Sequence, residues 1–141
     1  MQTLSFDLLK KRLKRYPHLN RLKSFFNRIE KDTLKFILLY GSLAKGTYTQ
    51  YSDIDVLCVF DRKFSDSRER FLVSYKYSEG LIQPRTLSYD EFKDGIIQGN
   101  SFLHSILQDG IILFNEIPEG TLQNWIVEGK KKLNVKYFSP S

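Results

Sequence analysis

Amphipathic helical stretches alternating with short buried runs predict an α/β fold: a small mixed β-sheet flanked by helices, with a helical N-terminal extension. Two observations carry this. Residues 34–40 (Leu-Lys-Phe-Ile-Leu-Leu-Tyr) and 54–60 (Ile-Asp-Val-Leu-Cys-Val-Phe) are nearly continuous apolar runs of strand length, as expected of strands covered on both faces. Around them, apolar residues recur at helical spacing before residue 30 and after residue 88.

Taken in order, Leu4, Leu8, Leu9 and Leu13 predict a first helix that Pro17 ends. Leu19, Leu22, Phe25, Phe26 and Ile29, with Arg and Lys between them, predict a second. The first strand run ends at Gly41, and the second is closed by the polar stretch 61–66. Phe71, Leu72 and Tyr75 at helical spacing suggest a helix over about 67–77. Residues 81–88 read as a strand, and Pro84, which lacks a ladder donor, places it at an edge or a bulge. Ser88 and Glu91 have the spacing of a capping box and open the next helix. Phe102, Leu103, Ile106 and Leu107 form another helical face that Gly110 terminates. Ile111–Phe114 are a last short strand, and Leu122, Trp125, Ile126 and Leu133 a terminal helix.

The bulk numbers fit one domain over 1–141, with 1–33 as a basic helical segment: 41% hydrophobic residues and 27% charged are ordinary for a globular chain. No apolar run is long enough to span a bilayer, and no signal-peptide pattern opens the chain. The single cysteine, Cys58, excludes an internal disulfide, so a cytoplasmic location is expected. The net charge of +6 is unevenly placed. Residues 1–35 hold 10 of the 22 Lys+Arg and 3 of the 16 Asp+Glu, a local charge of +7, and the remainder carries −1. Lys10, Lys11, Arg12, Lys14 and Arg15 are either a solvated helix face or a surface for an acidic partner or a phosphate backbone, separable from any active site.

The chemistry concentrates between Tyr40 and Phe60. Asp53 and Asp55 lie two residues apart at the head of a strand and so share a face. Two adjacent carboxylates opening an apolar strand repel unless a cation sits between them, and Mg2+ or Mn2+ suits hard oxygen ligands. The bland alternative is a pair of solvated strand-end acids. Gly41 and Ser42 directly follow the preceding strand, where a small residue lets backbone amides approach a phosphate and a hydroxyl can donate to it. Lys45 adds a nearby positive charge and Gly46 a second flexible point. No Walker-type or dinucleotide fingerprint is present.

Gly41-Ser42, ten residues, then Asp53-Ile54-Asp55 resembles the motif of the polymerase-beta-like nucleotidyltransferase superfamily. The fuller run Gly-Ser-Leu-Ala-Lys-Gly, then Ser-Asp-Ile-Asp-Val, resembles its minimal nucleotidyltransferase, antitoxin-type branch. The resemblance covers the chain from about Leu34 onward. It implies the nucleotidyltransferase fold, with Gly41, Ser42 and Lys45 binding a nucleoside triphosphate, ATP being the expected one. It also implies Asp53 and Asp55 as catalytic metal ligands, transfer of a nucleoside monophosphate to an acceptor hydroxyl, and a helical HEPN-type protein as partner and acceptor. A third carboxylate is expected from a later strand, ahead of a helix beginning like Ser88-Tyr89-Asp90-Glu91-Phe92. The register places Gln83 there, which neither carries charge nor accepts a proton as a base does. Glu79 is the nearest upstream acid. The competing function is therefore a nucleotide-binding or partner-binding module without turnover. A nucleic-acid-binding reading of residues 10–31 rests on charge alone. Cys58, His104 and Trp125 are expected in the core or at its boundary and His18 in a loop, none with metal-ligand spacing.

Overall fold

A computed structural model describes residues 1–138; the last three positions of the expected 1–141 domain lie outside the described residues. In chain order the elements are β1 (Gln2–Thr3), α1 (Phe6–Arg12), α2 (Leu19–Arg28), β2 (Leu34–Tyr40), α3 (Ser42–Lys45) and β3 (Ile54–Phe60). They continue as α4 (Ser67–Tyr75), β4 (Ile82–Ser88), α5 (Tyr89–Ile97), α6 (Ser101–Asp109), β5 (Ile111–Asn115) and α7 (Thr121–Phe138). The sheet order is β1-β5-β2-β3-β4. β2 is antiparallel to both β3 and β5, whereas β3–β4 and β1–β5 are parallel, so the sheet is mixed. β4 lies at one edge, where the donor missing from Pro84 is tolerated.

Both faces of the central strands are buried, which explains their continuous apolar runs. One face carries Ile37, Leu39, Val56, Cys58 and Phe60 and is covered by Leu9, Leu13, Leu22 and Phe25 from α1, the turn after it, and α2. The other carries Phe36, Leu38, Leu57 and Val59 under Phe92, Leu103 and Trp125 of α5, α6 and α7. Leu34 and Phe36 would share a face under strict alternation, yet they serve opposite layers. The pairing register with β3 shifts between them, and such an irregularity re-aims the side chain. The N-terminal extension is thus one of the two helical layers.

One expectation is corrected here. The first helix starts only at Phe6, with the Ser5 hydroxyl accepting from Leu8 N at 3.3 Å; Leu8 is exposed. Residues 2–3 instead extend the sheet beside β5, a strand too short to have a readable period. The helix expected over about 67–77 forms as α4 (Ser67–Tyr75). Phe71, Leu72 and Tyr75 are exposed, and Ser74 is fully buried, bonded to Thr86 Oγ1 at 3.1 Å. A small hydroxyl pair lets the helix sit close to β4, and Val73 packs on the core beside it. Phe71 and Tyr75 stack on each other at 4.3 Å on the outside.

The capping box forms: Ser88 accepts from Glu91 N, and the Glu91 carboxylate accepts from Ser88 N at 2.9 Å. Arg70 of α4 grips the same carboxylate with two bonds, of 2.5 and 2.9 Å, tying α4 to α5. Those bonds first, with the Ser88 bonds behind them and burial opposing, hold Glu91 down at about 2. An acid whose pKa is depressed on folding stabilises the fold above its unfolded value and loses that contribution as pH falls toward the folded one. Between pH about 4.5 and about 2 the wild type is therefore expected to lose stability that Glu91→Gln lacks throughout. Urea midpoints across that range check this, with converging curves for the two proteins at the acid end.

Candidate active site

The site forms where β2 ends and β3 begins. Antiparallel pairing sets Tyr40 opposite Asp55, and parallel pairing sets Gln83 beside Asp55 on its other side. Paired residues share a face, so Tyr40, Asp55 and Gln83 make one row across three strands. It is the face of Leu57 and Val59, at the edge of the α5–α7 layer. Asp53 precedes β3 and by alternation lies on the same side; it is exposed and Asp55 half-buried.

Asp55 is packed against the turn after β2. Gly41 has φ 76 and ψ −152, a conformation that favours glycine, and a β-carbon there would lie 2.6 Å from Asp55 Oδ2. The bare backbone of Gly41 is what admits the carboxylate. Ser42 then begins α3, a single turn in which Lys45 N donates to Gly41 O at 3.1 Å. The first N–H groups of such a turn have no intrahelical acceptor and remain available. Burial first, and then the charge of Asp53, push the Asp55 carboxyl up from its ordinary value. The Tyr40 phenol is raised too, by burial and then by Asp55, with Arg85 acting against them. The Arg85 guanidinium stacks 4.4 Å over the Phe102 ring.

A second support comes from the N-terminal extension. The Tyr16 hydroxyl donates to the Ser52 carbonyl at 2.6 Å, one residue before Asp53, and its ring meets Tyr48 edge-on at 5.8 Å. Tyr16 is 4% exposed, and burial, then Asp53, raise its pKa. Tyr16 and Arg85 were missed in the sequence because neither belongs to the motif, and only folding brings them there; Tyr40 adjoins Gly41 in sequence but was assigned no role. Residue 16, just after the basic run, thus buttresses the Asp53 loop, so the N-terminal segment meets the edge of the site. Lys45 lines a cavity of about 480 Å3 with Arg12, Gly46, Tyr48 and Asp109, a cavity whose lining includes neither Asp53 nor Asp55.

Two carboxylates on one face, one with its charge resisted by burial and by the other, suit a single divalent cation with oxygen preference. Among the described residues no group of three His, Cys, Asp or Glu side chains is placed to hold a metal. Gln83 occupies the register position beside Asp55, and Glu79, in a positive-φ turn, pairs with Arg28 at 3.5 Å. Cys58 is buried on the opposite face, its thiol pushed up to about 12 by burial. His104 meets Ile96 O through Nε2 at 2.8 Å. Trp125 packs edge-on against Tyr89 at 5.6 Å, and His18 immediately precedes α2.

The sequence profile of the nucleotidyltransferase domain matches residues 19–117. The chain belongs to that family. This nucleotidyltransferase-family chain is also similar to a protein of Methanocaldococcus jannaschii assigned as a protein adenylyltransferase, with 44% identity over 46 residues. The match covers 30% of this chain and 46% of that protein, about half its length. In fold it is similar to a Sulfolobus solfataricus protein assigned as a nucleotidyltransferase, at TM-score 0.54 and 21% identity over 77% of this chain and 86% of the other. A toxin–antitoxin structure with AMP-PNP aligns over 84% and 86% of the two chains at 18% identity, but its TM-score of 0.49 is too low to bear on function. No helix among the described residues is long and apolar enough to cross a membrane.

Replacing Asp53 and Asp55 together by Asn is expected to leave the fold intact and raise the thermal midpoint of the metal-free protein near neutral pH. A raised carboxyl pKa opposes folding once pH exceeds the unfolded value, and the substitution removes that term. Stabilisation by Mn2+ should vanish in the same scan. Tyr16→Phe keeps the ring but frees the Ser52 carbonyl; Mn2+ affinity by titration calorimetry is expected to fall, by up to about tenfold, with little change in melting.

Proposed function

We propose that the protein is a Mg2+-dependent nucleotidyltransferase that moves AMP from ATP to an acceptor hydroxyl on a partner protein, a helical HEPN-type partner being the expected one. The observation that carries this is the close approach of Asp55 to Gly41, beside Asp53 and the Gly41-Ser42 turn. It joins a phosphate-sized backbone turn to a cation-sized carboxylate pair, two parts that one triphosphate–metal complex needs together. Family membership and the adenylyltransferase relative support the same reading.

In this reading Ser42 and the amides of the turn orient the phosphate chain, and Asp53 and Asp55 hold the divalent ion, which offsets charge building on the phosphates. An acceptor oxygen forms a bond to the α-phosphorus while the bond to the β-phosphate oxygen breaks and pyrophosphate leaves. The hydroxyl proton passes to solvent water, because the Gln83 amide cannot take it. Arg85 and the Tyr40 phenol flank the row and are positioned to order that end of the site. A second reading follows from the same pairing. With a neutral amide beside Asp55, the domain holds nucleotide or partner with little turnover.

Transfer of labelled AMP, with pyrophosphate release measured alongside, separates the two. Wild type is expected to bind Mg2+–ATP and transfer slowly, and Gln83→Glu to raise the rate by about 10²-fold or more, in the range of positioned general-base help. No Mg2+–ATP binding by wild type would sink the enzyme reading. Binding without transfer in both proteins would favour the module.

A further inference from the structure

We infer that the corner where α1 meets α2 is a docking surface for an acidic segment of the acceptor protein, which there lies beside the Asp53 loop. What docks is an acceptor only if the transfer reading above holds; the docking itself does not depend on it.

The first observation is charge without partners. Lys10, Lys11, Lys14, Arg15, Arg21 and Lys23 are all exposed, and among the described residues none lies within ion-pair distance of a carboxylate. Arg28, Arg62, Arg70 and Lys131 do have such partners. Residues 1–35 carry +7 against −1 elsewhere, so the chain's own acids are not arrayed against this corner. Like charges crowded on neighbouring turns repel, and that repulsion is relieved when an acidic surface covers them.

The second observation is shape. A groove of about 170 Å3 lies in the corner, lined by Lys10, Lys14, Tyr16, Pro17 and Asn20 among others. Its volume suits a carboxylate side chain, with two ammonium groups and an amide on its walls. The third is position. Tyr16, which lines that groove, is the residue whose hydroxyl holds the Ser52 carbonyl. A chain seated in the groove therefore runs beside the Asp53 loop.

Nucleic acid fits less well. Among the described residues the fully exposed aromatic side chains are Tyr51, Phe71 and Tyr75, none within residues 1–35, and the Tyr16 ring in the groove is 4% exposed, so the corner offers little open ring face for a base to stack on. An acidic peptide needs only the charges and the groove.

The test uses the full chain and fluorescence anisotropy, without nucleotide. The probes are a short Glu-rich peptide carrying one Tyr, the same peptide with Gln for Glu, and a single-stranded RNA homopolymer of similar length. The Glu peptide is expected to bind, weakening as salt rises, and the Gln peptide to bind at least tenfold more weakly, a difference of about 1.4 kcal/mol or more. The triple variant Lys10→Glu, Lys14→Glu, Arg15→Glu should lose the Glu peptide while keeping wild-type melting and Mg2+–ATP affinity. The neutral triple Lys10→Gln, Lys14→Gln, Arg15→Gln should fall between them, which guards against a folding defect in the reversal. Equal binding of the Glu and Gln peptides, or full binding by the reversed variant, would overturn the inference. So would tighter binding of the RNA than of the Glu peptide, which would assign the corner to a phosphate backbone. Loss of Mg2+–ATP binding in wild type would instead count against the transfer reading alone.

Discussion

The Asp55 carboxylate resting against the bare backbone of Gly41 is the contact on which the rest of the site depends. It requires a glycine, both for its positive φ and for the missing β-carbon. It requires β2 and β3 to be antiparallel neighbours in the register that sets Tyr40 opposite Asp55. It also keeps a charge half out of water beside a second charge, which raises the Asp55 pKa and leaves the pair short of a cation. A carboxylate held there without function would be an avoidable electrostatic strain. The carboxylate faces the backbone of the Gly41-Ser42 turn.

Around that contact the fold divides its labour between two helical layers. The α5–α7 layer covers the face that carries Asp55, and the α1–α2 layer covers the other. The second layer nevertheless reaches the site, because Tyr16 closes on the Ser52 carbonyl at the sheet edge. The segment lying mostly outside the family match of 19–117 is thus structurally continuous with it. Most of its apolar residues serve the core, and its cations are left outward, while Tyr16 ties the segment to the loop before Asp53. The aromatic content is spent mostly in the same way: Phe25, Phe36, Phe60 and Phe92 are fully buried.

At the β3–β4 border the pairing of Asp55 with Gln83 leaves two negative charges where a third would lie alongside. Fewer charges lower the repulsion within the free protein, and they also lower its capacity to hold a second cation or to accept a proton. Arg85, two residues further along the same strand and stacked on Phe102, adds a fixed positive charge on that side.

By itself the sequence determined the mixed α/β architecture, the bounds of β2 and β3, the edge position of β4 and the capping box at Ser88. Each is legible because it rests on local physics: near-continuous apolarity for doubly covered strands, a missing donor at Pro84, and side chains three residues apart. The motif residues Gly41, Ser42, Asp53 and Asp55 were legible for the same reason, as they lie within one strand–turn–strand stretch. Only the tertiary structure decided which side of α4 faces in: the buried Ser74–Thr86 bond joins residues twelve apart, and Val73 packs on the core beside it. It alone placed Gln83 beside Asp55 and withdrew Glu79 to Arg28. It alone carried Tyr16 to Ser52, across 36 residues of chain. Contacts of that separation leave no period in the sequence; they exist only once the sheet register and the helix layers have closed.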